Sequence, residues 1–202
     1  MSFPTTPVLD SFDRADEGPP PSANWTNSGF GPNTLQVVSN LVRGVGGGGD
    51  AFWNVQKFGP DCEAFITTLS TAVNWNVWVR RPDPLVGPPH SGYRLRSSPT
   101  GYTFLRLDAG VTTQLGAAMV NAVAGDTFGL SAVGDQLTAT MIRSGVGSQL
   151  GVRTDSTYMS AGWIGMYVNG AGADADDFGG GTIPRRFTNT LGIRSPVRYD
   201  VR

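Results

Sequence analysis

Between Asp10-Ser11-Phe12-Asp13-Arg14 near one end and Asp174-Ala175-Asp176-Asp177-Phe178-Gly179 near the other, the chain consists of short strand-like runs and turn clusters with no helical stretch between them. Evenly spaced strands without intervening helices leave a sandwich or a barrel as the stable solutions. The 28 glycines and 14 prolines against 15% charged residues fit a fold made of many turns. At 202 residues the chain suits one domain with a substantial core.

The strands declare themselves by a period of two. In Val73 to Arg81, the residues Val73, Trp75, Val77 and Val79 point one way, and Asn74, Asn76, Trp78 and Arg80 the other. Leu35 to Val38 and Asp61 to Thr67 read as strands, and Trp163 to Asn169 as another. Ser98-Pro99-Thr100-Gly101 joins Gly92–Ser97 to Tyr102–Asp108 as a hairpin, and Gly134-Asp135 joins Thr127–Val133 to Gln136–Arg143. With Tyr93 and Leu95 inward beside Leu105 and Leu107, the opposite face gathers Trp78, Arg80, Arg94, Arg96, Tyr102, Phe104 and Arg106. Pro19 to Pro21, Gly44 to Gly49 and Pro82 to His90 read as surface loops, the glycine run as a flexible tip and His90 as a solvated loop residue.

Fifteen basic and sixteen acidic residues leave a net charge of −1, so no overall field draws the molecule to nucleic acid or to an anionic membrane. The first seven residues lack a basic n-region and an apolar h-region, and no run approaches about 18 apolar residues, so neither export nor membrane spanning is expected. Cys62 is the only cysteine, which excludes an intrachain disulfide and predicts a small buried side chain.

The signature Asp10 to Arg14, then Asn24-Trp25-Thr26, a central Gly92-Tyr93-Arg94-Leu95-Arg96, the run Gly125 to Thr140, Gly162 to Tyr167 and Ala175 to Phe178 follow one another in an order that resembles the concanavalin A-like lectin/glucanase jelly rolls. The chain is similar in particular to LamG-like modules of bacteriophage tail, fibre and decoration proteins. The resemblance implies an all-β, antiparallel two-sheet jelly-roll sandwich over residues 8–182, with a short extended arm at 1–7 and a basic tail at 183–202. It also implies that the segments of Asp10 and Asp177 lie side by side.

Aromatic platforms beside planar donors make sugar sites, so Trp78, Arg80, Arg94, Arg96, Phe104 and Arg106 are the candidate glycan-binding residues. The same arginines would equally solvate a sheet face, stack on the aromatics or meet a second subunit. The related glucanases carry a glutamate-rich catalytic strand, whereas this chain has only Glu17 and Glu63, so no catalytic residue is assigned and a non-enzymatic protein is expected. Asp174, Asp176 and Asp177, with Asp10, offer oxygen donors for a structural Ca2+, or cap turns, and no other cofactor is expected.

In the tail, Arg185, Arg186, Phe187, Arg194, Arg198 and Tyr199 form a basic and aromatic set suited to docking on a partner. The expectation is a non-enzymatic bacteriophage virion protein, a minor tail or capsid decoration protein made in the host cytoplasm. It would be homo-oligomeric, tied to a capsid or tail scaffold, and would display a lectin-like domain to host-surface carbohydrate. A soluble carbohydrate-binding module and a glycan depolymerase are the alternatives.

Overall fold

The computed structural model describes residues 3–28, 34–71, 73–82 and 90–184. Its strands are β1 (Val8–Asp10), β2 (Trp25–Asn27), β3 (Thr34–Val38), β4 (Leu41–Val45), β5 (Gly49–Trp53), β6 (Cys62–Thr68), β7 (Asn74–Arg81) and β8 (Gly92–Ser97). They continue with β9 (Thr103–Asp108), β10 (Val111–Gln114), β11 (Thr127–Val133), β12 (Gln136–Arg143), β13 (Val146–Thr154), β14 (Trp163–Asn169) and β15 (Asp174–Thr182). An eight-stranded sheet runs β13-β12-β11-β6-β15-β4-β3 with β1 also paired to β15, and a seven-stranded sheet runs β10-β9-β8-β7-β14-β5-β2. All pairings in both are antiparallel, and the two sheets form the expected sandwich.

Alternation decides which side chains meet between the sheets. Trp75, Val77 and Val79 of β7, Tyr93 and Leu95 of β8, and Met166 and Val168 of β14 pack on Cys62, Ala64 and Ile66 of β6 and on Phe128, Leu130 and Ala132 of β11. Cys62 is fully buried, as its solitary place in the sequence suggested. The framing signatures close this core at one end, where β1 pairs with β15 so that Asp10 lies opposite Phe178. The Trp25 ring meets Phe178 edge-on at 4.9 Å and Trp53 at 5.4 Å, and its Nε1–H donates to Asp10 Oδ2 over 2.8 Å. Asp10 thus satisfies the indole donor that burial would otherwise strand, and it also accepts from the Phe12 amide and Arg14.

The glycine run is not a flexible tip. Gly44 and Val45 complete β4 and Gly49 opens β5, where it is buried, and a Cβ there would stand 2.5 Å from the Thr34 backbone. Glycine is required by that close approach. The described part of the N-terminal arm is folded back onto the eight-stranded sheet. Glu63 Oε1 accepts from the Thr5 amide at 2.6 Å, the Thr6 amide at 2.7 Å and Thr6 Oγ1 at 2.7 Å, and the Phe3 ring meets Phe65 at 6.0 Å. The tail residues Arg185, Arg186, Phe187, Arg194, Arg198 and Tyr199 lie outside the described residues.

Candidate functional site

The outer face of the seven-stranded sheet carries two adjacent cross-strand rows. One runs Asp50, Tyr167, Asn76, Arg96 and Thr103 across β5, β14, β7, β8 and β9. The next runs Phe52, Gly165, Trp78, Arg94, Leu105 and Gln114, reaching β10. Neighbours in such rows stand within side-chain reach, so the sheet places planar donors, aromatics and one carboxylate in fixed order. Gly165 matters here by what it lacks, since a Cβ would come within 2.6 Å of the Phe52 ring.

Trp78 is the floor of this face and not a platform. It is fully buried among Phe52, His90 and the Arg94 guanidinium, which stacks 4.7 Å above the indole and 5.2 Å from the Tyr167 ring. Its Nε1–H donates to Asp50 Oδ1 at 3.0 Å. Arg94 is therefore immobilised by two aromatic faces with its plane set before any ligand arrives. His90, read from the sequence as a solvated loop histidine, is only 3% exposed and lies between Trp78 and Phe52.

Two cavities open on the rows. A pocket of about 140 Å³ is lined by Asp50, Trp78, His90, Arg94, Leu107, Gly110, Thr112 and Tyr167. Beside it a pocket of about 320 Å³ is lined by Asn74, Asn76, Arg94, Arg96, Leu105, Thr112, Tyr167 and Asn169. Arg94, Thr112 and Tyr167 belong to both, so the cavities form one continuous depression. Asn76, 1% exposed, gives its amide hydrogens to the carbonyls of Asn74 and Tyr167, while its Oδ1 has no hydrogen-bond partner among the described residues. The Nε–H groups of Arg94 and Arg96 are buried and lack one as well.

Burial sets the electrostatics. It pushes the Asp50 carboxyl up to about 6, against the opposing pull of Arg94, the Trp78 hydrogen bond and Arg81. It holds His90 down at about 4, helped by the positive charge of Arg81 and Arg94. Arg94 is itself lowered by burial, with Asp50 opposing. At neutral pH the depression therefore holds an ionised Asp50, a neutral His90 and charged arginines.

Of the six sequence candidates for glycan contact, Trp78, Arg94 and Arg96 come together, and the other three do not. A bulge in the β7 and β14 pairing, with Arg80 at φ +53°, breaks the alternation. Arg80 instead turns to the end of the sandwich, where it donates to the carbonyls of Pro60 at 2.7 Å and Tyr158 at 2.9 Å, and Arg81 takes the outer face by stacking on Phe52 at 4.6 Å. On β9 the phase is opposite to the expected one, because Arg94 pairs with Leu105 and Leu95 with Phe104. Tyr102 and Phe104 consequently enter the core, and Leu105 and Leu107 pack under the outer face with Trp78. Arg106 goes with the inner phase and is held at the sandwich end by Asp155 at 2.7 Å and Asp108 at 2.8 Å.

The acids expected to hold Ca2+ are not assembled for it. Asp174 faces Arg43 in a two-pronged pair at 2.6 and 2.9 Å, and Asp10 is taken up by Arg14 and Trp25. Burial raises both Asp176 and Asp177 above the ordinary carboxylate range, with neighbouring acids adding to it. Among the described residues no three His, Cys, Asp or Glu side chains converge as metal donors. Sequence reasoning missed Asp50, Tyr167, Thr112 and Asn169. The first directly follows the glycine run read as a loop, in a stretch assigned to no strand, and the other three carry no signal until the strand order is known.

No family model and no curated protein sequence matches the chain. Solved structures do resemble it. A carbohydrate-binding module, CBM66 from Bacillus subtilis, superposes with a TM-score of 0.59 at 16% identity over 78% of this chain and 95% of its own. The exoplasmic/lumenal domain of VIP36 in its Ca2+/Man3GlcNAc-bound form gives 0.62 at 12% identity, covering 90% of each. The Bacillus licheniformis β-glucanase gives 0.57 at 12% identity over 87% of this chain and 97% of its own. The fold is the concanavalin A-like jelly-roll sandwich.

Proposed function

We propose that the chain is a non-catalytic carbohydrate-binding domain that seats saccharide in the depression on the outer face of the seven-stranded sheet. The observation that carries this reading is Arg94, fixed between the Trp78 and Tyr167 rings beside the unmatched Oδ1 of Asn76. A rigid guanidinium, an amide and the half-buried Tyr167 ring around a cavity of about 320 Å³ offer a sugar both donors and acceptors for its hydroxyls and an aromatic surface for its ring. The fold agrees, since CBM66 is a carbohydrate-binding module and VIP36 was solved with a mannose-containing ligand.

Binding rather than cleavage fits the same site. Two-carboxylate hydrolysis needs a second carboxyl roughly 5–9.5 Å from the first, and Asp50 is the sole carboxylate among the described residues lining the two pockets. Calorimetric titration of immobilisation-free protein with a panel of oligosaccharides tests the reading. Saturable binding is expected, and Tyr167→Ala should weaken it by roughly tenfold through loss of ring contact. Binding that survives both Tyr167→Ala and Arg94→Gln unchanged would place the sugar elsewhere.

The biological setting we propose is a bacteriophage particle, with the domain facing outward in several copies and the basic stretch 183–202 docking it to a capsid or tail scaffold. This rests on the order of the sequence signatures and on the composition of that stretch. Full-length protein should bind particles that lack it, and a version ending at Thr182 should not.

A further inference from the structure

Most arginines whose contacts are described have their charge or their donors met within the chain. Arg14 pairs with Asp10 and Glu17, Arg43 with Asp174, Arg106 with Asp108 and Asp155, and Arg143 with Asp126, all at 2.6 to 2.8 Å. Arg80 and Arg153 give their guanidinium hydrogens chiefly to backbone carbonyls. Arg94 and Arg96 stand apart. They project from one face of β8, two positions apart, into the same cavity, and the Nε–H of each is buried without an acceptor among the described residues.

The charge around them does not balance. Among the described residues Asp50 is the acid that acts on Arg94, and its single charge is shared with Arg81. Among the described residues no carboxylate lines the cavity that holds both Arg94 and Arg96. Two guanidiniums side by side repel one another with their Nε–H donors unmet; the hydroxyls of a neutral sugar can accept from the donors but leave the repulsion in place. An anion removes both, and a guanidinium meets a planar oxyanion through two parallel hydrogen bonds.

Resting on the reading of this face as a saccharide site, we propose that the saccharide it takes is acidic, with an anionic group seated between Arg94 and Arg96 and the sugar ring lying toward Asn76 and Tyr167. A uronic acid carboxylate and a sulfate ester share the required chemistry. The folded full-length chain is titrated with oligogalacturonate, with an alginate oligomer, with a sulfated galactan oligomer and with a neutral galactan oligomer of equal length. At least one acidic probe should bind roughly tenfold or more tightly than the neutral one, and the preference should shrink as salt is raised. Which acidic arm responds identifies carboxylate or sulfate.

Arg96→Gln should weaken the acidic probe far more than the neutral one, so that the preference falls toward unity with the thermal melt as in the parent, and Arg96→Lys should retain part of the preference. Equal or tighter binding of the neutral probe, or an equal loss for both probe types in Arg96→Gln, overturns the acidic assignment and leaves the saccharide reading standing. Failure of every probe to bind overturns the saccharide reading, and the acidic assignment with it.

Discussion

Asp50→Asn keeps the shape of the side chain and removes a charge that the folded state holds at a cost. Asp50 is held near 6 in the folded chain against 3.8 when solvated. Between those values the folded state retains a proton that the unfolded state has released, so stability falls as pH rises through the window and stays down above it. At 1.36 kcal/mol per pH unit the loss amounts to about 3 kcal/mol by pH 7. His90, held near 4 against 6.5, does the reverse. Over that interval the unfolded state takes up a proton that the folded state refuses, and stability rises with pH by a further 3 kcal/mol or so, about equal and opposite. The parent should therefore show little net slope from this pair between pH 4 and 6.5. In Asp50→Asn the falling limb is gone and the rising limb of His90 is uncovered. Trp78 Nε1–H keeps an acceptor in the amide oxygen, and the attraction of Arg94 and Arg81 is already contained in the value near 6. Urea unfolding of variant and parent at pH 4, 5, 6, 7 and 8 gives a difference in which the titrating groups away from Asp50 cancel, His90 at 3.6 Å being the one in contact with it. That difference should be under about 1 kcal/mol at pH 4 and grow to about 3 kcal/mol in favour of the variant by pH 7. A variant less stable than the parent at pH 8, or a difference independent of pH, would refute the reasoning.

Tyr102→Phe removes the hydroxyl that donates to Asp126 Oδ2 at 2.6 Å inside a network completed by Arg143 and the Val123 amide. A loss of about 1.5–3 kcal/mol is expected for a buried bond to a charged acceptor, read from the urea midpoint at unchanged slope. Burial lifts the Cys62 thiol to about 11, so a thiol reagent at pH 8 should label the unfolded chain within minutes and the native chain only at the rate of its opening. Equal labelling rates in the two states would show that Cys62 is accessible.

The sandwich was legible because one phase of β7 and β8 is continuously apolar (Trp75, Val77, Val79, Tyr93, Leu95) while the other carries Asn76, Arg94 and Arg96, so their alternation has a single solution. The β9 phase was not, because both phases of Tyr102 to Asp108 are rich in apolar groups. Tyr102 and Phe104 fill the core, while Leu105 and Leu107 underlie the outer face beside Trp78. A strand covered on both sides gives a period of two with nothing to anchor its phase. The bulge at Arg80 is invisible for another reason. It depends on Gly162, whose missing Cβ leaves room for the Arg80 backbone, and that contact joins positions far apart in the chain. Trp78 and Arg94 were placed on one face by the alternation of their strands, but the burial of the indole under the guanidinium arises from β5 and β14, which bring Asp50 and Tyr167 to them. Asp174 of the closing signature looked available to a cation because its partner, Arg43, sits on β4, which only the sheet order makes a neighbour.

β15 lies between β6 and β4 in the eight-stranded sheet and carries β1 as well, so the last of the described strands to be synthesised fills the middle of a layer. Until it arrives, β6 and β4 have no common neighbour, and the buried carboxylate of Glu63 holds the Thr5 and Thr6 amides beside an empty slot. A ribosome needs roughly 5 to 20 s to pass from the end of β6 to the start of β15. During that interval the nascent chain presents unpaired strand edges, the templates on which wrong pairing begins. Productive folding of this protein is thus a race that opens only when Thr182 leaves the exit tunnel, and its yield in a cell should depend on the pace of translation and on chaperone supply more than on the stability of the finished sandwich.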